Sequence, residues 1–251
     1  MEPEIRTKSN AATSELSARR EFVDQFYKRC PIPENEILLN QQLFLNRQAV
    51  SHVLYLDTIY KQILPIHGLV FELGVRWGRN LALLSNLRGI YEPFNHTRKI
   101  IGFDTFDGFT DVGTKDGESQ TVSKGAYAVS KDYLNYLSGV LNYHQAESPL
   151  SHINKFELVK GDASVTVPEY INKNPHAVVA LAYFDMDIYQ PTFDCITALR
   201  DRMPKGAILA FDEICSETFP GETLAVLETI GLSNYSLNRV PFHPNGSYIV
   251  L

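Results

Sequence analysis

The chain has 251 residues, 44% hydrophobic and 21% charged, and 23 Lys and Arg against 29 Asp and Glu give a net charge of −6. That length suits one domain with a full core of its own, and the acidic balance argues against a generic binder of nucleic-acid backbones. Cys30, Cys195 and Cys215 are odd in number and lack CxxC spacing, no apolar run reaches membrane-spanning length, and the polar start is unlike a signal peptide, so a soluble cytoplasmic protein is expected.

The first fifteen or so residues are small and polar and are expected to fray. A helix is expected from Glu15 to Tyr27. A second follows, where Ala49, Val53, Leu56, Tyr60 and Ile63 line one face and Pro65 closes it. Residues 1–66 are read as a tail and helices packed on the core. They either cover their own domain or meet a partner chain, which leaves a homo-oligomer open.

From residue 67 the texture changes to short apolar runs alternating with helical segments. Strands are expected at Leu69–Leu73, Ile100–Phe103, Phe156–Val159, Ala177–Phe184 and Ala207–Phe211. Runs that are apolar throughout suit strands covered on both faces. Helices between them are expected at Asn80–Arg88, closed by Gly89, and at Pro191–Arg202, opened by its proline. Asn234–Val240 and Ser247–Leu251, joined by PFHPNG, read as a terminal antiparallel hairpin. The fold class is therefore α/β, a Rossmann-like doubly wound sheet of seven strands over residues 67–251. The stretch from about 108 to 154 is too long for a plain connection. It begins Gly/Ser/Thr-rich and mobile in character, turns helical at Asp132–Tyr143, and is either a lid carrying acceptor specificity or an inert surface loop.

Chemistry gathers where these strands end. The first ends in Glu72 and opens into Gly74-Val75-Arg76-Trp77-Gly78, a turn that lets backbone approach a ligand but whose Arg76 leaves little room for a pyrophosphate. On its own this is as well explained by tight packing. Asp104 ends the second strand, placed to accept from ribose hydroxyls, and Asp162 follows the third, placed to accept from an exocyclic amine such as adenine N6. A single such acid most often caps a helix; three on one rim favour a nucleoside site. Thr105 and Phe106 join the candidate cofactor-binding residues, with Phe106 either stacking near an adenine or lying in the core.

The fourth and fifth strands add Asp185, Asp187, Asp212 and Glu213. Carboxylates crowded at neighbouring strand ends are costly unless a cation or a raised pKa relieves them. Oxygen-only donors suit Mg²⁺, or Mn²⁺ or Ca²⁺, rather than zinc. The alternative is that Asp187 and Asp212 cap the helices that follow, whereas Gln190 is the natural cap ahead of Pro191.

Taken in order, FELGVRWG, GFDTFDGF, KGDA, YFDMDIYQPT and PKGAILAFDE resemble the TylF-like (macrocin O-methyltransferase) group of class I S-adenosylmethionine methyltransferases, over about Phe44 to Leu251. The resemblance implies a sugar or glycoside hydroxyl as acceptor, with Mg²⁺ in many members. It implies Glu72, Gly74 and Gly78 on the methionine side, Asp104 at the ribose, and Asp162 and Ala163 around the adenine. Asp185, Asp212 and Glu213 match the metal ligands, with Asp185 bordering the cofactor as well, and Asp187 matches the general base. The sequence departs from the group in having Asp212-Glu213 where Asp-Asp is common. His243, in the hairpin, is the other candidate base. Two further readings compete: an NAD(P)-dependent sugar-nucleotide oxidoreductase or epimerase, suggested by Tyr127-x-x-x-Lys131, and a non-catalytic S-adenosylmethionine binder.

Overall fold

Val70 and Glu72 point to one side of the first strand, Phe71 and Leu73 to the other, and all four are buried. A strand covered on both faces in this way needs helices above and below it. The computed structural model describes residues 12–119 and 121–251. It forms one seven-stranded sheet, ordered β3-β2-β1-β4-β5-β7-β6. The strands are β1 (Leu69–Leu73), β2 (Ile100–Asp104), β3 (Phe156–Lys160), β4 (Val179–Phe184), β5 (Ile208–Phe211), β6 (Asn238–Arg239) and β7 (Ser247–Val250). The first five are parallel, and β7 runs antiparallel to both β5 and β6. This is the Rossmann-like methyltransferase sheet expected from the sequence. The hairpin's first strand is the exception, shrinking from the expected Asn234–Val240 to two residues.

The helices are α1 (Thr13–Phe22), α2 (Glu34–Ile37), α3 (Arg47–Ile63), α4 (Arg79–Tyr91), α5 (Tyr133–Glu147), α6 (Ala163–Lys173), α7 (Tyr189–Leu199) and α8 (Pro220–Thr229). One face of the sheet packs a core that includes Phe71, Phe103, Val167, Ile196 and Val226, drawn from the strands, α6, α7 and α8. Tyr170 of α6 sets its ring edge-on to both Phe71 and Phe103. The other face packs Tyr55, Ile59, Leu84 and Leu137, from α3, α4 and α5, over Val70, Leu181 and Ile208.

Several boundaries differ from expectation for local reasons. The first helix turns into a π-helical segment over Val23–Tyr27. Helix α4 runs through Gly89 to Tyr91, because Gly89 meets only Ser148 and its backbone stays helical. Helix α7 starts two residues before Pro191, with Ile188 rather than Gln190 at its cap. The buried row of α3 is His52, Tyr55, Leu56, Ile59, Tyr60 and Ile63, rotated from the expected face so that it includes a histidine. The expected fraying of the chain's start falls largely on residues 1–11, outside the described residues. Among the described residues no helix is long and apolar enough to cross a membrane.

The 108–154 insertion is pinned rather than loose. Its buried Asp116 accepts from Gly113 N–H at 2.6 Å and from Tyr189 N–H at 2.6 Å, supplying the cap that α7 lacks in its own sequence. Lys115 pairs with Glu228 of α8 at 2.6 Å and lies over the Tyr189 ring. Farther along, α5 rests on the loop after β1. Its Leu137 lies where a Cβ on Gly78 would fall, and its Tyr133 hydroxyl donates to the Trp77 carbonyl at 2.9 Å.

Candidate active site

The strand order reverses direction between β1 and β4, and open α/β sheets bind ligands at such a switch point, beyond the carboxyl ends of the strands. The ladder carries each predicted strand end to one level. Gly74 N–H donates to the Phe103 carbonyl, Asp185 N–H to Leu73, Asp212 N–H to Phe184 and Gly161 N–H to Asp104. Gly74 (φ 94°) and Gly78 (φ 75°) are left-handed, which only glycine adopts without strain. A Cβ on residue 74 would lie 1.9 Å from the Asp185 carbonyl oxygen.

A crevice with about 440 Å³ of empty space opens there, and Gly74, Asp104, Thr105, Gly161, Asp162 and Ala163 all border it. Asp104 is heavily engaged. Oδ2 accepts from Val75 and Arg76 N–H at 2.7 Å each and Oδ1 from Phe106 N–H, so this carboxylate shapes the glycine loop. Asp162 caps α6 through Ser164 N–H at 2.9 Å and accepts from the Thr110 hydroxyl at 2.6 Å, tying the insertion to the crevice. The Thr105 hydroxyl donates to the Gly108 carbonyl at 2.8 Å. Phe106 is buried in the α3–α5 core, the second of its two expected placements.

Glu72 stands apart. It is fully buried, and both carboxylate oxygens lack a hydrogen-bond partner. Burial, then the charges of Asp185 and Asp104, push its pKa well up. Arg79 and Asn80 favour its charged form by less than burial and those acids oppose it, so this buried carboxyl at a strand end is suited to a cationic ligand.

Beside the crevice, Asp185, Asp187, Asp212 and Glu213 line a second pocket of about 900 Å³ of empty space, with Arg76 and Asn80 in its wall. Sequence separation concealed how crowded they are. Burial, then Asp212 and Glu213, raise Asp187 to about 8. Burial, then Asp212 and Asp187, raise Asp185 well above the carboxylate range. Neither Asp187 nor Asp212 caps a helix: α7 is capped at Ile188 and α8 at Phe219. Among the described residues, no three His, Cys, Asp or Glu side chains stand close enough to hold a metal ion as they lie.

Arg79 and Asp212 also border a larger groove, with about 2040 Å³ of empty space, between α3 and the β6–β7 turn. His243 lines this groove, and its Nδ1 accepts from Gly246 N–H at 2.9 Å. Sequence reasoning missed His52 and Asn80, which border the site, and Glu222, a fully buried acid whose Oε2 accepts from Glu213 N–H at 2.7 Å. For His52 a signal existed, a polar residue in phase with Tyr55, Leu56 and Ile59 on an apolar helix face. Tyr127 faces the acidic pocket, but its ring receives the Arg76 guanidinium, and Lys131 is exposed and does not border that pocket.

Fold and site together define a class I methyltransferase scaffold with a crevice at its switch point and an acidic pocket beside it. The calicheamicin methyltransferase CalS11 is 38% identical over 98% of this chain and 96% of its own, with a TM-score of 0.93. An apo structure of CalS11, described as a TDP-rhamnose 3'-O-methyltransferase, matches at 35% identity over 98% and 97%, with a TM-score of 0.80. The O-methyltransferase NovP shares the fold at 18% identity over 80% and 79%, with a TM-score of 0.61. No family model matches the chain, and no curated protein matches it. The chain belongs to the O-methyltransferase family that includes CalS11.

Proposed function

We propose that this enzyme transfers a methyl group from S-adenosylmethionine to a hydroxyl of a sugar, carried on a nucleotide or a glycoside, as a TylF-like enzyme assisted by Mg²⁺. The observation that carries this reading is the switch-point crevice at Gly74, with the orphaned Glu72 carboxyl buried two residues before it, abutting a pocket of four acids in a chain so similar to CalS11. S-Adenosylmethionine, when bound, supplies an activated methyl on a cationic sulfonium. The residues fit such a group: Glu72, with no hydrogen bond to either carboxyl oxygen, becomes its counter-charge once a cation favours the ionised form, and Gly74 presents bare backbone to the crevice. Asp162 and Ala163 border the adenine end, and Asp104 orders the loop while retaining limited capacity for a ribose hydroxyl.

Asp187 is the proposed base. A carboxyl raised to about 8 is a far stronger base, once ionised, than an ordinary carboxylate. Its pocket is contiguous with the large groove, which supports a role for Asp187 beside an acceptor hydroxyl, and orienting that hydroxyl would supply much of the rate. Asp185, Asp212 and Glu213 would hold Mg²⁺. Their donor chemistry fits a hard cation, and their mutual repulsion is relieved by one. Bound there, Mg²⁺ would favour the alkoxide form of the acceptor. The acceptor class follows the name of CalS11 and the breadth of the α3 groove.

The test is methyl transfer from labelled S-adenosylmethionine to a panel of nucleotide-linked deoxysugars and glycosides, with Mg²⁺ and with a chelator. Transfer to a sugar hydroxyl is expected, reduced by the chelator and abolished in Asp187→Ala, which still binds S-adenosylhomocysteine. Cofactor binding without transfer to any member of the panel overturns the reading in favour of a binding protein.

A further inference from the structure

His52 and Asn80 form the middle of a hydrogen-bonded chain that joins the acceptor groove to the acidic pocket. Both are buried. His52 Nε2 lies 2.5 Å from Asn80 Oδ1, and Asn80 Nδ2 donates to Asp185 Oδ2 at 3.1 Å. On its other side, His52 Nδ1 lies 3.5 Å from His243 Nε2, and His243 Nδ1 accepts from Gly246 N–H at 2.9 Å. The Tyr55 ring stacks on His243 at 4.6 Å, and a Cβ on Gly246 would strike both rings, so the turn is held closely against α3.

The direction of this chain is set at its far end. A backbone N–H only donates, so His243 Nδ1 carries no proton, and the neutral ring bears its hydrogen on Nε2. His52 Nδ1 then faces a donor and is the acceptor, which places the His52 hydrogen on Nε2, toward the Asn80 carbonyl oxygen. That leaves the Asn80 amide N–H to donate to Asp185 Oδ2. Every link has one sense, and no other assignment of neutral rings satisfies all four contacts. Both rings are held neutral: burial foremost, then Arg79, lowers His52 to about 4, and burial, with Arg79 adding, lowers His243.

We propose that His52 and Asn80 are positioning residues: a one-way hydrogen-bond chain from Gly246 through His243, His52 and Asn80 holds the Asp185 carboxylate in place and locks both imidazoles as Nε2–H tautomers. One consequence concerns the base. His243 has no free lone pair in this arrangement, since Nδ1 is occupied and Nε2 carries the proton. It belongs to the groove wall and the chain, and Asp187 is left as the base. A second consequence is that the β6–β7 turn, which borders the acceptor groove and carries His243 191 residues after His52 in sequence, is mechanically tied to the acidic pocket.

The tautomers rest on geometry alone; only the kinetic arm below rests on the methyl-transfer reading. Imidazole ¹⁵N shifts of the full-length protein near pH 7.5, assigned with His52→Gln and His243→Gln, are expected to show both rings neutral and protonated on Nε2. An Nδ1–H tautomer or a charged ring at either position overturns the proposal, whether or not an acceptor is ever found. Kinetically, His52→Gln keeps an N–H donor near the place of Nε2 and is expected to retain kcat within about threefold. His52→Leu removes the donor and is expected to lose kcat at least tenfold, with its affinity for S-adenosylhomocysteine within about threefold of the parent. Equal damage from the two substitutions, or full activity in His52→Leu, overturns the positioning role.

Discussion

The Asp185 carbonyl oxygen occupies the space into which a side chain at Gly74 would project, 1.9 Å from the missing Cβ. The glycine thus lets β1 and β4 close together at the switch point, and the backbone φ of 94° adds a second requirement for the same residue. Gly74→Ala is expected to cost about 3–5 kcal/mol and to abolish cofactor binding, because strain and clash act on one loop. Gly139→Ala in α5, where nothing lies within 4 Å of the new methyl, is the control, and it is expected to be neutral or stabilising. Thermal unfolding and calorimetry with S-adenosylhomocysteine separate the two.

Glu72 predicts how cofactor affinity depends on pH. Burial and the neighbouring Asp185 and Asp104 keep its carboxyl protonated to unusually high pH in the free protein. A bound cation favours the carboxylate, so binding expels a proton, and affinity rises with pH between the bound and free pKa values. Calorimetry in buffers of different ionisation heat is expected to show proton release. Glu72→Gln should remove the release and most of the pH dependence, weaken binding at least tenfold, and leave the free protein no less stable.

The acid cluster also sets a stability trend. Asp187 has a pKa of about 8 in the fold against an ordinary 3.8. Between those values the folded state holds a proton that the unfolded chain does not, so stability is greatest at the acid end and is lost as pH rises toward 8. The melting temperature measured without divalent cations is expected to fall from pH 5 to pH 8.5. Asp187→Asn should flatten that slope and raise the value at pH 8.5 by about 3 °C or more, as relief of a kcal/mol or more does in a chain of this size. Millimolar Mg²⁺ is expected to restore stability at pH 8.5 in the parent protein.

Asp116 and Lys115 hold the insertion in unequal measure. Asp116→Ala leaves two backbone donors without their carboxylate, at a cost of about 1–3 kcal/mol. Faster proteolysis within residues 110–125 and a higher KM for the acceptor are expected. Lys115 and Glu228 are both well exposed and their pairing is screened by solvent, so Lys115→Ala is expected to leave the melting temperature and the proteolysis rate close to those of the parent.

How much of this was legible in the chain depends on whether a signal was local. Apolar runs such as Val179–Phe184 declare a doubly covered strand, since burial on both faces leaves no polar position. The acids directly after such runs declare a rim, since backbone register alone carries Asp104, Asp185 and Asp212 to one edge. Engagement was not legible. Nothing near Asp104 in sequence shows that its carboxylate is spent on the amides of residues 75, 76 and 106, and nothing near Gln190 shows that α7 takes its cap from Asp116, 73 residues earlier. His52 was overlooked because a histidine on a helix face acquires a role only through the partners folded against it.

The sequence by itself determined the sheet, its two apolar faces and the negative charge concentrated at one end, because periodicity and strand register are properties of neighbouring residues. Only the tertiary structure decided which acids are orphaned, crowded or occupied, since those depend on what α3, the insertion and the β6–β7 turn bring to the rim. The net charge of −6 is a sum over the chain; a Glu72 carboxylate without a partner and an Asp187 raised to about 8 are consequences of where burial places individual charges.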